Sequence, residues 1–174
     1  LAESENRLRT IVQTEPECIK LVDRNGIILE MNPAGLEMIE AKNSEQVIGK
    51  NVLSLIHDAY KLEYQKFSNL VFDEGRPFKY EFEITTLTGT NRWVESHVVP
   101  MRNSSGEIIS SLAITRDISI QKNAQQEMSL MNEQLRLLSS HLLKVREEER
   151  TKISREIHDE LGQQLTSLKI DLSW

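Results

Sequence analysis

The sequence predicts an α+β fold of about 100 residues followed by one long helix. Two β-prone runs come first, a mostly helical stretch follows, and three strands of alternating apolar and polar residues complete the domain. All four prolines and six of the seven glycines precede residue 107, whereas residues 118–174 contain no proline and only Gly162. Residues that break helices therefore divide the first two thirds into short elements and leave the last third as continuous helix.

The composition of the 174 residues excludes several classes of protein. The formal net charge is −6, whereas nucleic-acid binding favours a basic surface, so we expect no direct contact with nucleic acid. Cys18 is the one cysteine, which excludes a disulfide framework and favours a reducing compartment. No apolar run approaches the roughly 18 residues of a membrane helix. We expect a cytoplasmic piece of a longer protein, whose membrane anchor, if it has one, lies elsewhere.

The first 73 residues predict a helix, a hairpin and a mostly helical stretch. Residues 1–14 have the apolar spacing of a short amphipathic helix. Residues 18–31 hold two β-prone runs around the turn Asp-Arg-Asn-Gly, which predicts a hairpin because Asn and Gly accept positive φ. Asn32 then has the character of a helix N-cap, followed by proline. Residues 34–73 are predicted to be mostly helical, with interruptions at an Asn-Ser pair and a glycine.

Three consecutive antiparallel strands are predicted at residues 78–84, 92–101 and 108–115. The first alternates Phe, Tyr, Phe and Ile with charged residues, which gives it a clear inner face. This face carries few charges, so we expect any ligand to be small and largely apolar, or absent. The candidate pocket on this face is lined by Phe82, Ile84, Val94, Ser96 and Val98.

Four segments in order carry a resemblance to a known family. They read D-R-N-G-I-I-L-E-M-N-P-A from Asp23, V-I-G-K-N-V-L-S-L-I from Val47, G-T-N-R-W from Gly89 and T-R-D-I-S from Thr115. Together they resemble a PAS sensor domain. The resemblance implies a PAS fold, which is a five-stranded antiparallel sheet with flanking helices around a pocket. The implied domains are an N-terminal signalling helix at 1–14 and a PAS domain at 15–119.

The resemblance also bears on cofactors of the PAS pocket. Haem is not expected, because the helix predicted from Tyr60 to Asp73 lacks His and Cys. Flavin is not expected, because the cysteine motif of flavin-photoreactive PAS relatives is absent. No pair of histidines has metal-ligand spacing, so we expect no metal site. A pocket that stays empty and transmits only conformation is a further alternative.

Seven apolar residues in the helical third are spaced alternately by four and three residues. Three unbroken heptads of this kind predict a parallel coiled coil over residues 120–148 that forms a homodimer. A single helix packed on its own domain is the alternative. The heptad spacing of apolar residues ends at residues 146–152, which are all polar. This stretch is either a solvent-exposed helix face or a joint where the coiled coil unwinds. The seam consists of Ala124, Met128, Met131, Leu135, Leu138, Leu142 and Val145.

The segment from Glu149 to Leu168 resembles the phosphoacceptor helix of sensor histidine kinases, in the subfamily with an H-D-x-x-x-Q box. His158, Asp159 and Gln163 fill this box. The resemblance implies that residues 149–174 are the first helix of a histidine-kinase dimerisation and phosphoacceptor domain.

The same resemblance implies the function of the intact protein. A two-component histidine kinase moves the γ-phosphoryl group of ATP to His158 and then to an aspartate of a response regulator, here of the LuxR-like class. Nothing in the chain resembles the glycine-rich ATP-binding boxes of this family, so ATP would bind a further domain of the parent protein. We therefore expect the chain to be inactive alone.

The chemistry of their side chains also supports phosphotransfer roles for His158, Asp159 and Gln163. Ile157 and Leu161 belong to an apolar stripe, so His158 lies at the edge of that face. A neutral imidazole can attack a γ-phosphate while Asp159 orients the ring or accepts its proton as general base. Gln163, four residues after Asp159, can position water for dephosphorylation. The alternatives are a solvated helical histidine and, for the whole chain, a non-enzymatic PAS dimerisation or ligand-binding module with another output.

Overall fold

The computed structural model describes the backbone of residues 2–171 and the side chains of residues 3–162. Within that range the fold has the predicted α+β class. The strands are β1 (Cys18–Val22), β2 (Ile28–Met31), β3 (Phe78–Thr85), β4 (Asn91–Arg102) and β5 (Ile108–Asp117). The α-helices are α1 (Ala2–Thr14), α2 (Pro33–Met38), α3 (Lys61–Glu74) and α4 (Ser119–Asp171).

One antiparallel sheet holds the five strands in the order β2-β1-β5-β4-β3. β5 pairs with both β1 and β4, so the last strand of the domain lies at the centre of the sheet. In the pairing of β3 with β4, Phe82 lies opposite Val94 and Tyr80 lies opposite Ser96. Side chains that lie opposite each other share one face of a sheet, so these four residues point to the same side.

The turn between β1 and β2 forms where the sequence predicts it. The Asp23 carboxylate accepts hydrogen bonds from the backbone N–H groups of Asn25 at 2.9 Å and Ile27 at 2.7 Å. Gly26 has a φ of 80°, a left-handed conformation that glycine adopts without steric cost. The local side-chain bond and the glycine together reverse the chain.

Asn32 caps α2 as predicted, but the mostly helical stretch predicted for residues 34–73 is wrong over much of its length. α2 ends after six residues, and α-helix resumes only at α3. The side chains of Asn43 and Asn51 accept hydrogen bonds from backbone N–H groups two or three residues later, which favours tight turns over helix. The intervening segment instead forms short 3-10 turns at Ser44–Gln46, Val52–Leu55 and Asp58–Tyr60.

The core lies between the inner face of the sheet and the segments that cover it. Tyr64 of α3 packs edge-to-face on Phe82, with ring centroids 5.5 Å apart. The predicted inward face of β3 and β4 is buried, except that Phe78 and Tyr80 keep partial exposure. Its fully buried members are Phe82, Ile84, Val94, Ser96 and Val98.

α4 is a continuous helix of 53 residues, as the lack of proline and near lack of glycine predict. The chain divides into two compact units, Leu1–Asn123 and Ala124–Trp174. The first turn of α4 therefore belongs to the sheet unit, and the rest of the helix forms the second unit. In that second unit, the described apolar side chains of the predicted seam are exposed.

Candidate functional site

The sheet unit contains a small cavity of about 20 Å³ between its inner face and the helical segments. Phe82 and Ile84, two of the predicted pocket residues, line this cavity. Val94, Ser96 and Val98 are buried on the same face but do not line it. Most of the remaining wall is apolar and comes from Met31, Met38, Ile39, Val52, Leu55 and Ile56.

The cavity also has a polar wall that the sequence analysis missed. Lys20 is only 7% exposed, and its Nζ donates a hydrogen bond to Thr115 Oγ1 at 2.9 Å. Thr115 Oγ1 is in turn 2.9 Å from Ser96 Oγ. The expectation of an inner face with few charges is therefore incomplete. The alternation of β1 was the available signal, because it places Lys20 on the same face as Cys18 and Val22.

Cys18 lies beside this polar wall, and α2 packs closely over it. Burial raises the pKa of the Cys18 thiol, and the positive charge of Lys20 acts in the opposite direction. A Cβ atom at Gly35 would lie 2.8 Å from Cys18 Sγ and 2.6 Å from Met31 Cγ. Glycine at this position therefore allows α2 to approach β1, which closes one side of the cavity.

A network of charged side chains lies where the sheet unit meets α4. Arg92 of β4 donates to Glu40 at 2.9 Å and to Asp117 at 3.1 Å. Although burial works to raise it, the pKa of Asp117 is lowered by hydrogen bonds from Ser119 and then by Arg92. Ser119 is the first residue of α4, and its backbone N–H donates to Asp117 at 2.8 Å. The start of the long helix is thus tied to the sheet and to the turn after α2.

Trp93 provides a second link between the sheet and the first turn of α4. Its backbone N–H donates to Ser119 Oγ at 2.9 Å, and its ring lies under the ammonium of Lys122, 4.9 Å from the ring centroid. Tyr60 packs edge-to-face on Trp93 at 5.7 Å and on Tyr80 at 6.5 Å. Tyr60 therefore joins the segment before α3 to both the inward-facing Tyr80 and the residues that hold α4.

His158 lies in the second unit, on the outer surface of α4. Its side chain is 90% exposed, and that of Asp159 is 82% exposed. His158 Nδ1 is 3.9 Å from the Asp159 carboxylate, which is longer than a hydrogen bond but within reach after a side-chain rotation. Gln163 is part of the helix, but its side chain lies outside the described residues. Two of the three predicted site residues are thus adjacent and accessible.

The other histidines lie apart from this site in the sequence and have local surroundings of their own. His57 Nδ1 accepts a long hydrogen bond from the backbone N–H of Ala59 at 3.4 Å, and its own backbone pairs with the edge of β3. His97 and His141 are exposed, on β4 and α4. Among the described residues, no helix combines the length and apolar content needed to cross a membrane.

Comparison with known families finds a match within each unit. The profile of the PAS fold matches residues 6–118, which is more than half of the chain. The profile of a histidine kinase family matches residues 149–174. The first match covers the sheet unit, and the second covers the segment that contains His158.

Two curated proteins align with most of the chain. The chain is 28% identical over 141 residues to the uncharacterised protein y4lL of Sinorhizobium fredii and 29% identical over 130 residues to the methanogenesis regulatory histidine kinase FilI of Methanothrix harundinacea. These alignments cover 81% and 74% of this chain but only 17% and 14% of the relatives.

A PAS domain of an HTR-like protein from Haloarcula marismortui has the same fold. The TM-score is 0.58 at 22% identity, and the match covers 67% of this chain and 93% of that one. At this identity the likeness shows the fold alone. Fold and profile matches together give one assignment: the chain belongs to the PAS family, and the segment from residue 149 onward matches the profile of a histidine kinase family.

Proposed function

We propose that this chain is the sensor and phosphoacceptor part of a two-component histidine kinase, with His158 as the residue that carries the phosphoryl group. The observation that carries the proposal is an H-D-x-x-x-Q box inside the segment that the histidine kinase profile matches. The imidazole of His158 is almost fully exposed on a helix, which suits a group that must enter the active site of another domain. A solvated structural histidine needs neither the neighbouring Asp159 nor Gln163.

The phosphoryl transfer follows from the chemistry of these side chains. A nitrogen of the neutral imidazole attacks the γ-phosphorus of ATP, and a nitrogen–phosphorus bond forms while the bond to the bridging oxygen breaks and ADP leaves. Asp159 orients the ring and accepts the proton of the imidazole as general base. An aspartate of a response regulator, which we assign to the LuxR-like class, then attacks the phosphohistidine. Gln163 positions the water that dephosphorylates the regulator.

The signal passes from the PAS unit to α4 through the two links at the start of the helix. Arg92 holds Asp117 and Glu40 together, and Trp93 contacts Ser119 and Lys122. A change in the cavity alters the packing of the residues around it, and these links pass the change to the first turn of α4. A coiled coil over residues 120–148 then carries it towards His158 in a homodimer.

The experiment is phosphorylation of the parent protein that contains this chain with radiolabelled ATP. His158→Gln should abolish the acid-labile, alkali-stable label that marks phosphohistidine, while His141→Gln, an exposed histidine of the same helix, should keep it. The chain by itself should stay unlabelled, because ATP binds elsewhere in the parent protein. Label that persists in the His158→Gln protein would refute the assignment.

The same assay separates the two neighbours of His158. Asp159→Asn should mainly slow the formation of the label, because the imidazole loses its base. Gln163→Ala should mainly slow the loss of phosphate from the response regulator, because the attacking water loses its amide partner. Equal effects of both substitutions on both rates would contradict this division of roles.

A further inference from the structure

Lys20 is a buried cation that the phosphoryl transfer does not use. The residue is only 7% exposed, it lines the cavity of the PAS unit, and Thr115 accepts one hydrogen bond from its Nζ. An ammonium group carries three N–H donors, so one hydroxyl oxygen leaves it incompletely satisfied. Buried polar groups in proteins are normally hydrogen-bonded, and this one faces a cavity.

The positive charge of Lys20 also has no acidic partner close by. No Asp or Glu lines the cavity, and Lys20 forms no ion pair within the described part of the chain. A buried charge is strongly unfavourable unless an opposite charge or several hydrogen bonds compensate it. Thr115 is already shared with Ser96, 2.9 Å away, so the protein supplies little further compensation.

We propose that the cavity binds a small monocarboxylate, whose carboxylate pairs with Lys20 and whose short aliphatic chain contacts the apolar wall. The polar and apolar parts of such a ligand match the two kinds of wall. Lys20 and Thr115 lie on the sheet, and the covering segments contribute Met38, Val52 and Leu55. Charge-assisted hydrogen bonds in a cavity of this kind provide both affinity and orientation.

The size of the cavity limits the ligand to short chains. About 20 Å³ is the space of roughly one water molecule, so a ligand needs some displacement of the wall. Met31 and Met38 are part of this wall, and the unbranched methionine side chain adapts readily to a neighbour. Val52 and Leu55 come from a short 3-10 turn rather than from a long helix. The wall that must move for a ligand thus includes two methionine side chains and a short turn, whereas Lys20 lies on β1.

This inference rests on the proposed sensor role of the PAS unit and names the class of ligand for it. The test is a calorimetric titration of the 174-residue chain with sodium acetate, propionate, butyrate and octanoate, at constant ionic strength with sodium chloride. Acetate, propionate or butyrate should bind to the wild type, and octanoate should not. Lys20→Met should weaken binding by about tenfold to a hundredfold, because one charge-assisted hydrogen bond is lost. Lys66→Met, which removes an exposed lysine of α3, should bind as the wild type does.

A neutral ligand of the same shape tests the charge without any substitution. Propionamide should bind to the wild-type chain about tenfold or more weakly than propionate. Any of three results would overturn the proposal. Propionate and propionamide could bind with equal affinity, the Lys20→Met and wild-type chains could bind propionate equally, or none of the carboxylates could bind. Chloride that competes as well as propionate would also overturn it. Because the titration does not involve His158, such a result would leave the phosphoryl-transfer proposal to be judged by its own assay.

Discussion

At the scale of single residues, Glu40 combines an unusual backbone conformation with an unusual set of side-chain bonds. Its φ of 60° is left-handed, which is uncommon for a residue with a side chain. Hydrogen bonds from Thr88, Arg92 and Thr86, in that order of influence, lower the pKa of Glu40 from 4.5 to about 2. These bonds favour the ionised carboxylate, and they hold the turn after α2 against the loop between β3 and β4.

This pKa predicts a pH dependence of stability. A carboxyl group whose pKa is lower in the folded state stabilises the fold above its unfolded pKa, and the contribution is lost as the pH falls towards the folded pKa. The Glu40 contribution should therefore be complete above about pH 4.5 and disappear between about pH 4.5 and 2. Glu40→Gln should be less stable than the wild type at neutral pH, and its stability should fall less steeply in that interval.

Urea unfolding at a series of pH values measures this difference. Glu45→Gln, at an exposed position in a neighbouring 3-10 turn, controls for the loss of one acidic group. If the free energy of unfolding fell equally steeply below about pH 4.5 in the wild type and in Glu40→Gln, the role of the Glu40 carboxylate would be contradicted.

At the scale of elements, Asn32 connects four segments of the PAS unit through one buried side chain. It is 4% exposed, and its oxygen accepts hydrogen bonds from the backbone N–H groups of Ile19 at 2.9 Å and Gly35 at 3.0 Å. Its side-chain nitrogen donates to the carbonyl oxygens of Val12, Glu15 and Glu17 at 2.9–3.3 Å. The same side chain thus caps α2, bonds to β1, and contacts both the end of α1 and the linker after it.

Asn32→Ala should therefore destabilise the PAS unit far more than the loss of an ordinary N-cap does. The substitution leaves two backbone donors and several carbonyl groups without their partner, and we expect a loss of about 2–4 kcal/mol in the free energy of unfolding. Chemical denaturation measures this loss.

Asn43→Ala is the matched control, because Asn43 caps an exposed 3-10 turn through a single bond to Gln46. We expect this control to lose about 0.5–1 kcal/mol. Losses of equal size in the two variants would show that Asn32 acts only as a local cap.

At the scale of the whole molecule, the most conspicuous feature is the apolar seam of α4. Six of its seven predicted residues are large, and they are 43–67% exposed in the single chain. Full burial of a large apolar side chain is worth about 1.5–3 kcal/mol relative to exposure. The strict heptad spacing matches the seam of a two-stranded coiled coil, so a second copy of the chain is the partner that would bury it.

Leu135→Asp combined with Leu138→Asp should convert the protein from dimer to monomer. Two adjacent seam positions then carry charges that would be buried against their counterparts, which disfavours pairing. Light scattering at micromolar concentration should give twice the chain mass of 20.1 kDa for the wild type and a single chain mass for the variant.

Leu130→Asp combined with Leu137→Asp is the matched control. These leucines are equally exposed on α4 but lie off the seam, so the dimer should persist. A monomeric wild type would refute the coiled coil and support a helix packed on its own domain.

The accuracy of the sequence predictions depends on how local the determining interactions are. The hairpin turn at Asp23 and the start of α2 at Asn32 were predicted correctly because each depends on side chains that bond to backbone nearby. The alternation in β3 was sufficient to predict its buried face. The stretch after α2 was predicted to be mostly helical, but Val52 and Leu55 lie in a 3-10 turn whose side chains are buried in the core. Burial there is set by tertiary packing, which overrides helical periodicity.

By itself, the sequence determined the α+β class, the long final helix and the presence of the H-D-x-x-x-Q box, because periodicity, helix breakers and motif spacing are properties of neighbouring residues. Only the tertiary structure decided what Lys20 and Arg92 contact. Lys20 meets Thr115 across 95 residues of sequence, and Arg92 meets Glu40 across 52. Pairing of β5 with β1 brings Thr115 to Lys20, and the turn after α2 brings Glu40 to Arg92 on β4. No local pattern encodes which of these side chains meet.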